Sequence, residues 1–581
     1  MHPTDPGSIR CVDNPRAVMS WTAIFGIIGL VWSPAFSAPP TLSHLFPGGG
    51  QRGTKVVATC TGEHAWPIQI WAAGVEVVAG EEAGKLEITI PEDLASDRVW
   101  IRMYNAEGAS NPVPFLIGGL KEISEQEPNN LPDKAQAITE INVTINGILH
   151  KDDDKGGDVD GFAVELMAGQ MLVAAVDANL RLGSPMDAIL QVVSPDGTVW
   201  AENHDDLGLD PQMAYTATRS GTHVVRLFAF PSSQGSKIAF GGGGNYIYRL
   251  TLTIGPFIRH TIPMSLSQAE PKEVKVFGWN TPPDMKLPVV PFGGTRLDDY
   301  QEFKASSDAR ISRQTRMGFA FAPGLAGAAR VRLTPYPVHL VIAESDANSP
   351  MTLTAPSSVT GRIQAPRQTN TYILPLKKDQ QIVIVAESQS MDLPLVPTIR
   401  LTDPGGSVAA KAGESGGAQD ALITHKVAQD GDYQLTIGDR YRHGSDRHFY
   451  RLTIQLAEPD FELSAGADAV VVGPDKPAEL PLTVKRHTSP SGTIGPITIE
   501  ATNLPPGVTT PSVVSESEGD TASKVTLKFT TTGAAFSGLI RIRGTADEPR
   551  KIKRFARTPP RYATSVEAIW LTAIAKPDAT N

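Results

Sequence analysis

The feature that most restricts this chain is that its strand-like segments occur twice, in the same order. Leu166-Met-Ala-Gly-Gln-Met-Leu-Val-Ala-Ala returns as Leu376-Lys-Lys-Asp-Gln-Gln-Ile-Val-Ile-Val, and Ser194-Pro-Asp-Gly-Thr-Val199 as Asp403-Pro-Gly-Gly-Ser-Val408. Ser220-Gly-Thr-His-Val returns as Asp430-Gly-Asp-Tyr-Gln, and Tyr248-Arg-Leu-Thr251 as Tyr450-Arg-Leu-Thr453. The offset is 209 or 210 for the first three and 202 for the last, as expected of one duplicated unit with one shortened hairpin. Met171–Val176, Ile189–Val193 and Tyr246–Ile254 are short runs rich in β-branched and apolar residues. The segment Ser194-Pro-Asp-Gly197 between them is a turn. Strands of this length and spacing predict sandwiches or barrels, and no amphipathic helix of 12 or more residues stands out. A second pair, Leu42-Ser-His-Leu-Phe-Pro47 and Ile258-Arg-His-Thr-Ile-Pro263, precedes the two copies. The expected order is A–B–A′–B′ plus a tail, an all-β chain of tandem β-sandwich or jelly-roll-like domains. A length of 581 residues is too great for one core. In this scheme His44 and His260 orient a strand entry.

The start of the chain reads as an export signal. Arg10 and Arg16 precede the apolar run Trp21–Trp32, and Ala35 and Ser37 stand at −3 and −1 for cleavage after Ser37. A retained anchor over Ala17–Phe36 is the alternative. The expectation is an exported protein, periplasmic, cell-surface or extracellular, with no membrane span after signal cleavage. Cys11 falls in the signal and leaves Cys60 alone, so no intramolecular disulfide is available to the mature chain. Cys60 ends the strand-like run Val56–Cys60 and is expected to be buried as a small hydrophobe. A net charge of −10 argues against nucleic acid as a partner.

Acidic residues make the strongest chemical pattern. Glu125 and Glu127 alternate on an extended segment that continues through Pro128 to Asn129 and Asn130, and Asp158 and Asp160 follow, again two apart. Alternate residues of a strand share a face, and hard carboxylate and amide oxygens suit Ca²⁺. Asp152–Asp154 reads as a solvated charged turn, because its spacing fails that of an EF-hand. Asp187 with Asn203-His-Asp205-Asp206 reads as an exposed hairpin, with a cation site or polar ligand rim as the alternative. The second copy has lost most of this pattern. Glu344-Ser-Asp346-Ala-Asn348 partly replaces the first acidic segment, Gln368-Thr-Asn370 replaces Asp158–Asp160, Pro397 stands for Asp187, and Gly413–Gly416 stands for Asn203–Asp206. Between Arg541 and Arg561, eight basic residues face only Asp547 and Glu548. They read as a solvated hairpin, or as a surface for an anionic wall polymer or for the protein's own acidic domain. No His-Glu-x-x-His and no Cys-x-x-Cys-His motif is present, and the chain is expected not to be an enzyme.

Glu125-Gln-Glu-Pro-Asn-Asn130, Asp158-Val-Asp-Gly-Phe162, the turns at Gly169 and Ser220-Gly221, and the closing Tyr246–Ile254 strand resemble the bacterial pre-peptidase C-terminal domain, which is also found beside collagenases as a collagen-binding module. Phe46-Pro-Gly-Gly-Gly-Gln-Arg-Gly53 and Gly108-Ala-Ser-Asn-Pro-Val-Pro-Phe115 are similar to immunoglobulin-like units of secreted planctomycete proteins. Asn503-Leu-Pro-Pro-Gly-Val508 resembles a bacterial immunoglobulin-type sandwich. The expected export signal covers 1–37, and the resemblance implies an immunoglobulin-like unit over 38–120. It implies a calcium-bearing pre-peptidase C-terminal-like sandwich over 121–255 and a second immunoglobulin-like unit over 256–342. A degenerate copy of the calcium sandwich then covers 343–457, and a tail sandwich covers 458–581. It also implies that a structural Ca²⁺ is held by Glu125, Glu127, Asn129, Asn130, Asp158 and Asp160. Such domains usually accompany a peptidase, and none is present here. The expected role is a non-catalytic binding or scaffold protein for an extracellular protein or a cell-wall polysaccharide. The alternative is an accessory or targeting subunit for a separate secreted hydrolase.

Overall fold

The computed structural model describes residues 38–151, 157–233, 235, 239–268, 273–291, 302–304, 316–342, 350–415, 420–562 and 564–576. Residues 1–37, over which the sequence predicts an export signal, and Asp152–Asp154 and Glu344–Asn348 lie outside them. The chain is all-β, a tandem array of sandwiches. Among the described residues the only helical elements are the single turn Asn179–Leu182 and the 3-10 turn Gln389–Met391. No helix among these residues is long and apolar enough to cross a membrane.

The duplication is visible strand by strand. In the first copy one sheet runs Lys121–Ser124, Val143–Ile148, Ile247–Thr253, Met171–Asp177, Gln212–Thr216. Its partner sheet runs Gln136–Ala137, Asp160–Leu166, Gly221–Pro231, Met186–Val193, Val199–Asn203. In the second copy the same two orders are built from Val338–Val341, Ser357–Arg362, Phe449–Leu456, Gln381–Glu387, Ala421–Lys426, and from Met351–Thr352, Thr369–Leu376, Gly431–Asp439, Pro397–Thr402, Val408–Ala412. Register is kept as well: Leu166 faces Gly221 and Leu376 faces Gly431. Even the irregularity before the turn recurs, between Val192 and Val193 and between Leu401 and Thr402. The turns that follow place Gly197 and Gly406 at φ 88° and 86°, a left-handed conformation that glycine adopts without a Cβ clash. Phe162, Val164 and Leu166 alternate into the core of the first copy and are almost fully buried.

Ahead of each copy stands another β unit. The first packs a four-stranded sheet, His44–Phe46, Lys55–Thr61, Lys85–Thr89, Glu76–Ala79, against Gly49–Gln51, Val113–Gly118, Arg98–Asn105, Gln69–Ala72. Cys60 is buried there as a free thiol, which donates to the Gly84 carbonyl at 3.1 Å. The second is a seven-stranded sheet that includes Phe257–Ile262, Glu273–Trp279 and Ala329–Thr334. His44 lies in the strand His44–Phe46. His260 is buried between Phe277 and Phe449, with ring centroids 5.1 and 4.4 Å away, and burial lowers its pKa to about 3. The tail strands from Asp460–Ala465 to Ile569–Ala573, apart from Thr564–Val566, form a ten-stranded sheet. The described residues from Ala38 onward form one compact unit. Two tail residues, Val566 and Ala568, belong to the hydrophobic core of the first unit, and Thr564–Val566 pairs with Glu302–Lys304.

The basic stretch is a hairpin of Phe536–Ala546 and Ile552–Arg557 with Arg550, Lys551 and Lys553 exposed, but it is not an unopposed basic patch. Four of its charges are met from positions distant in sequence: Arg543 by Glu500 at 2.7 Å, Arg554 by Asp460 at 2.8 Å, Arg561 by Asp468 at 3.4 Å, and Arg550 by Glu458.

Candidate metal centre

The acidic segment meets the second sheet at one end of the first duplicated sandwich. Strand Lys121–Ser124 runs parallel to Val143–Ile148, and this register carries Glu125 alongside Gly147. Gly147 also faces Tyr248. A Cβ at Gly147 would lie 2.2 Å from the Tyr248 phenol oxygen and 2.3 Å from Glu125 Oε2, so only glycine leaves room for the two to meet. Asp160 opens the strand Asp160–Leu166 of the opposite sheet and enters the same space.

Glu125 Oε1 accepts the Ile148 N–H at 2.7 Å, and Oε2 accepts from the Tyr248 hydroxyl at 2.8 Å. The same hydroxyl lies against Asp160 Oδ2, and its single proton can serve only one carboxylate at a time. Asp160 is fully buried, and its Oδ1 has no hydrogen-bond partner among the described residues. Carboxylate oxygens of Glu125, Glu127 and Asp160 all lie within 4.8 Å of one another. Burial, and then the Glu125 charge, pushes the Asp160 carboxyl well above its usual range. Burial also raises Tyr248, helped by the same two acids, so it remains a protonated donor. Burial raises Glu127 as well, with Asp158 and Glu125 adding to it. A buried carboxylate with an unused oxygen beside two more acids is a costly arrangement unless a proton or cation joins it.

The six residues named from the sequence divide into two sets. Glu125, Glu127 and Asp160 converge. Asp158 instead accepts the His150 N–H at 2.6 Å and the Asn130 side-chain amide at 2.9 Å, and Asn130 is thereby engaged. Asn129 is fully buried. Its Oδ1 takes the Gly161 N–H at 3.2 Å, and its backbone N–H goes to Glu127 at 2.9 Å. These three hold the loops that aim the converging acids. Tyr248 was not picked out from the sequence. Its signal lay in the repeated Tyr-Arg-Leu-Thr segment, because the second copy also sets that tyrosine over a glycine, Tyr450 over Gly361.

Among the described residues, the second copy fills the equivalent space without charge. Its register puts Val341 opposite Gly361, where Glu125 stands in the first. Asn370 takes the place of Asp160 and donates to the Tyr450 hydroxyl at 2.7 Å. Tyr372, in the place of Phe162, meets the same hydroxyl at 2.7 Å.

Of the second acidic set, His204 and Asp205 are exposed, whereas Asp206 is drawn inward by arginines. It pairs with Arg447 at 2.7 Å and Arg259 at 3.4 Å, and both guanidinium groups lie over the Trp279 ring. Asn203 accepts the Gln212 N–H at 3.1 Å. Gly413-Glu-Ser415-Gly-Gly417 has the spacing of a Gly-x-Ser-x-Gly nucleophile turn, but it follows the edge strand Val408–Ala412 rather than joining a strand to a helix. Residues 416 and 417 lie outside the described ones.

No family model and no curated protein matches the chain. Among solved structures, the chain is similar at 15% identity to the pre-peptidase C-terminal domain of collagenase from Bacillus anthracis, covering 18% of this chain and 95% of that one with a TM-score of 0.16. It is similar at 13% identity to PliG, a periplasmic inhibitor of g-type lysozyme from Aeromonas hydrophila, covering 21% and 98% with a TM-score of 0.14. The four N-terminal Ig domains of Dscam1 isoform 7.44 match at 9% identity over 93% of this chain and 100% of theirs, with a TM-score of 0.19. At these TM-scores the likenesses carry no argument about function.

Proposed function

We propose that this is an exported, non-catalytic binding or scaffold protein of the cell surface or periplasm, whose first duplicated sandwich is fastened by a structural Ca²⁺. The observation that supports the metal reading is Asp160, fully buried with an unpartnered oxygen beside Glu125 and Glu127. Glu125, Glu127 and Asp160 supply hard carboxylate oxygens of the kind Ca²⁺ takes. The ion neutralises their mutual repulsion and ties the entry segment to the start of the opposite sheet. In this role the sandwiches present a fixed surface to an extracellular protein or a cell-wall polysaccharide.

The test is a melt of the purified mature chain in Ca²⁺ and in chelator. A ligand that binds only the folded state adds about 2.7 kcal/mol at a hundredfold excess over Kd. Calcium is expected to raise the melting temperature in wild type and not in Asp160→Asn. An equal response in both, or none in either, overturns the metal reading. Capture of immobilised wall polymers by the calcium-loaded chain tests the binding role.

A further inference from the structure

Each duplicated unit carries a buried arginine at the same place in its Tyr-Arg-Leu-Thr segment, and the two are used differently. Arg451 is fully buried, and although its Nη2 also has no hydrogen-bond partner among the described residues, its other nitrogens are held within its own packing. Its Nε donates to Ser265 at 2.7 Å and its Nη1 lies against Glu387, whose other oxygen takes Arg332 at 3.0 Å. Arg249 is also buried, with 4% of its side chain exposed, and Glu122 meets only its Nη2. Its Nη1 stays 3.8 Å from Asp177, and its Nε has no hydrogen-bond partner among the described residues.

Arg249 lines a cleft of about 120 Å³ where the two units of each pair come together. Arg181 and Arg259 line it too, with Leu120, Phe257 and Ala328 as apolar wall. The acids of the cleft are already divided among arginines. Asp97 is shared by Arg181 at 2.9 Å and Arg330 at 3.1 Å, and Asp177 by Arg181 at 3.2 Å and Arg249. Asp392 lies 3.9 Å from Arg330. Beside the cleft, Asp206 is shared by Arg259 and Arg447. A buried guanidinium with unused donors is unfavourable unless an acceptor reaches it, and a space of this size admits a small organic molecule rather than a single water. Guanidinium forks match carboxylate and sulfate oxygens in geometry as well as charge.

We infer that this cleft binds a small oxyanion, a carboxylate or sulfate group, on Arg249, with Arg181 and Arg259 beside it. The group comes either from a free small anion or from an acidic residue of a polysaccharide. The inference does not depend on the calcium reading.

The test is calorimetric titration of the full chain, freed of metal on a chelating resin and dialysed, at ionic strength held constant with sodium chloride, using sodium sulfate, sodium glucuronate and glucose. Sulfate or glucuronate is expected to bind at one site per chain, and glucose not to bind. Ala328→Phe narrows the cleft without touching an arginine and is expected to weaken binding at least tenfold. Leu207→Trp, from another lining position, does the same if the first variant melts early. Arg249→Lys keeps the charge, loses the fork and weakens binding. Polygalacturonate that displaces sulfate identifies a polymer as the source, and failure to displace it identifies a free anion. Wild-type affinity in both folded cleft variants, glucose binding as well as glucuronate, or no anion binding above chloride overturns the proposal.

Discussion

The two copies of the duplicated sandwich agree in strand order, in register and in the irregularity before one turn, yet they differ in chemistry at one end. In the first, Tyr248 stands between Glu125 and Asp160. In the second, Tyr450 stands between Asn370 and Tyr372, with Val341 where the glutamate was. Tyrosine over glycine is the shared frame. One copy surrounds that hydroxyl with acids and leaves a buried oxygen unmatched, whereas the other closes the space with neutral donors and acceptors. The same scaffold thus tolerates two solutions, one that leaves a buried carboxylate oxygen without a partner and one whose described residues bond to one another.

Asn370→Asp is the hardest test of this difference. It buries a carboxylate beside Tyr450 and Tyr372, with Val341 at the position of Glu125, and removes the amide that donates to Tyr450 and to the Arg362 carbonyl. A loss of about 3 kcal/mol or more is expected by denaturant titration. An unchanged midpoint would mean that the second copy can also host charge. The reverse exchange, Asp160→Asn, is expected to remove the calcium-dependent increment of about 2.7 kcal/mol at a hundredfold excess over Kd, read from melts with and without chelator. Calcium response surviving in that variant would move the site elsewhere. Tyr450→Phe strips the hydroxyl shared by Asn370 and Tyr372 and should lower stability by about 1–2 kcal/mol with no change in calcium response.

The smallest effect is a slope with pH. In chelator, Asp160 is held above its ordinary value of 3.8. From about pH 4 upward the folded state therefore binds more protons than the unfolded one, and stability falls as pH rises through that window. One proton contributes at most about 1.4 kcal/mol per pH unit. Asp160→Asn is expected to flatten this slope, whereas substitutions at Asn370 that carry no charge leave it. Urea midpoints across pH 4–8 decide it, and a slope unchanged in Asp160→Asn would place the titrating group elsewhere.

What the sequence disclosed was local or repeated. The alternation Phe162, Val164, Leu166 told which face of a strand is buried, and the recurrence of four segments told that one sandwich occurs twice. The two alternating acid pairs were legible in the spacing, but the meeting of Glu125 and Glu127 with Asp160 was implied only by the family resemblance. Pairings set by the fold were not legible. Asp206 looked like part of an acidic hairpin because its partner Arg447 lies 241 residues away. The basic tail stretch looked unopposed because Asp460 lies 94 residues before Arg554. Nothing in composition or spacing brings such groups together, and only the packing of whole units does.

The presence of Val566 and Ala568 in the core of the first unit has a consequence in time. A ribosome, and any export channel behind it, delivers residues 44–118 long before residue 566. For that interval the leading sandwich lacks part of its own interior and lacks the Thr564 hydroxyl that Arg98 reaches at 2.8 Å. The first unit to emerge is thus among the last to be finished, so a chain halted short of the tail leaves its earliest segment with an open apolar seam.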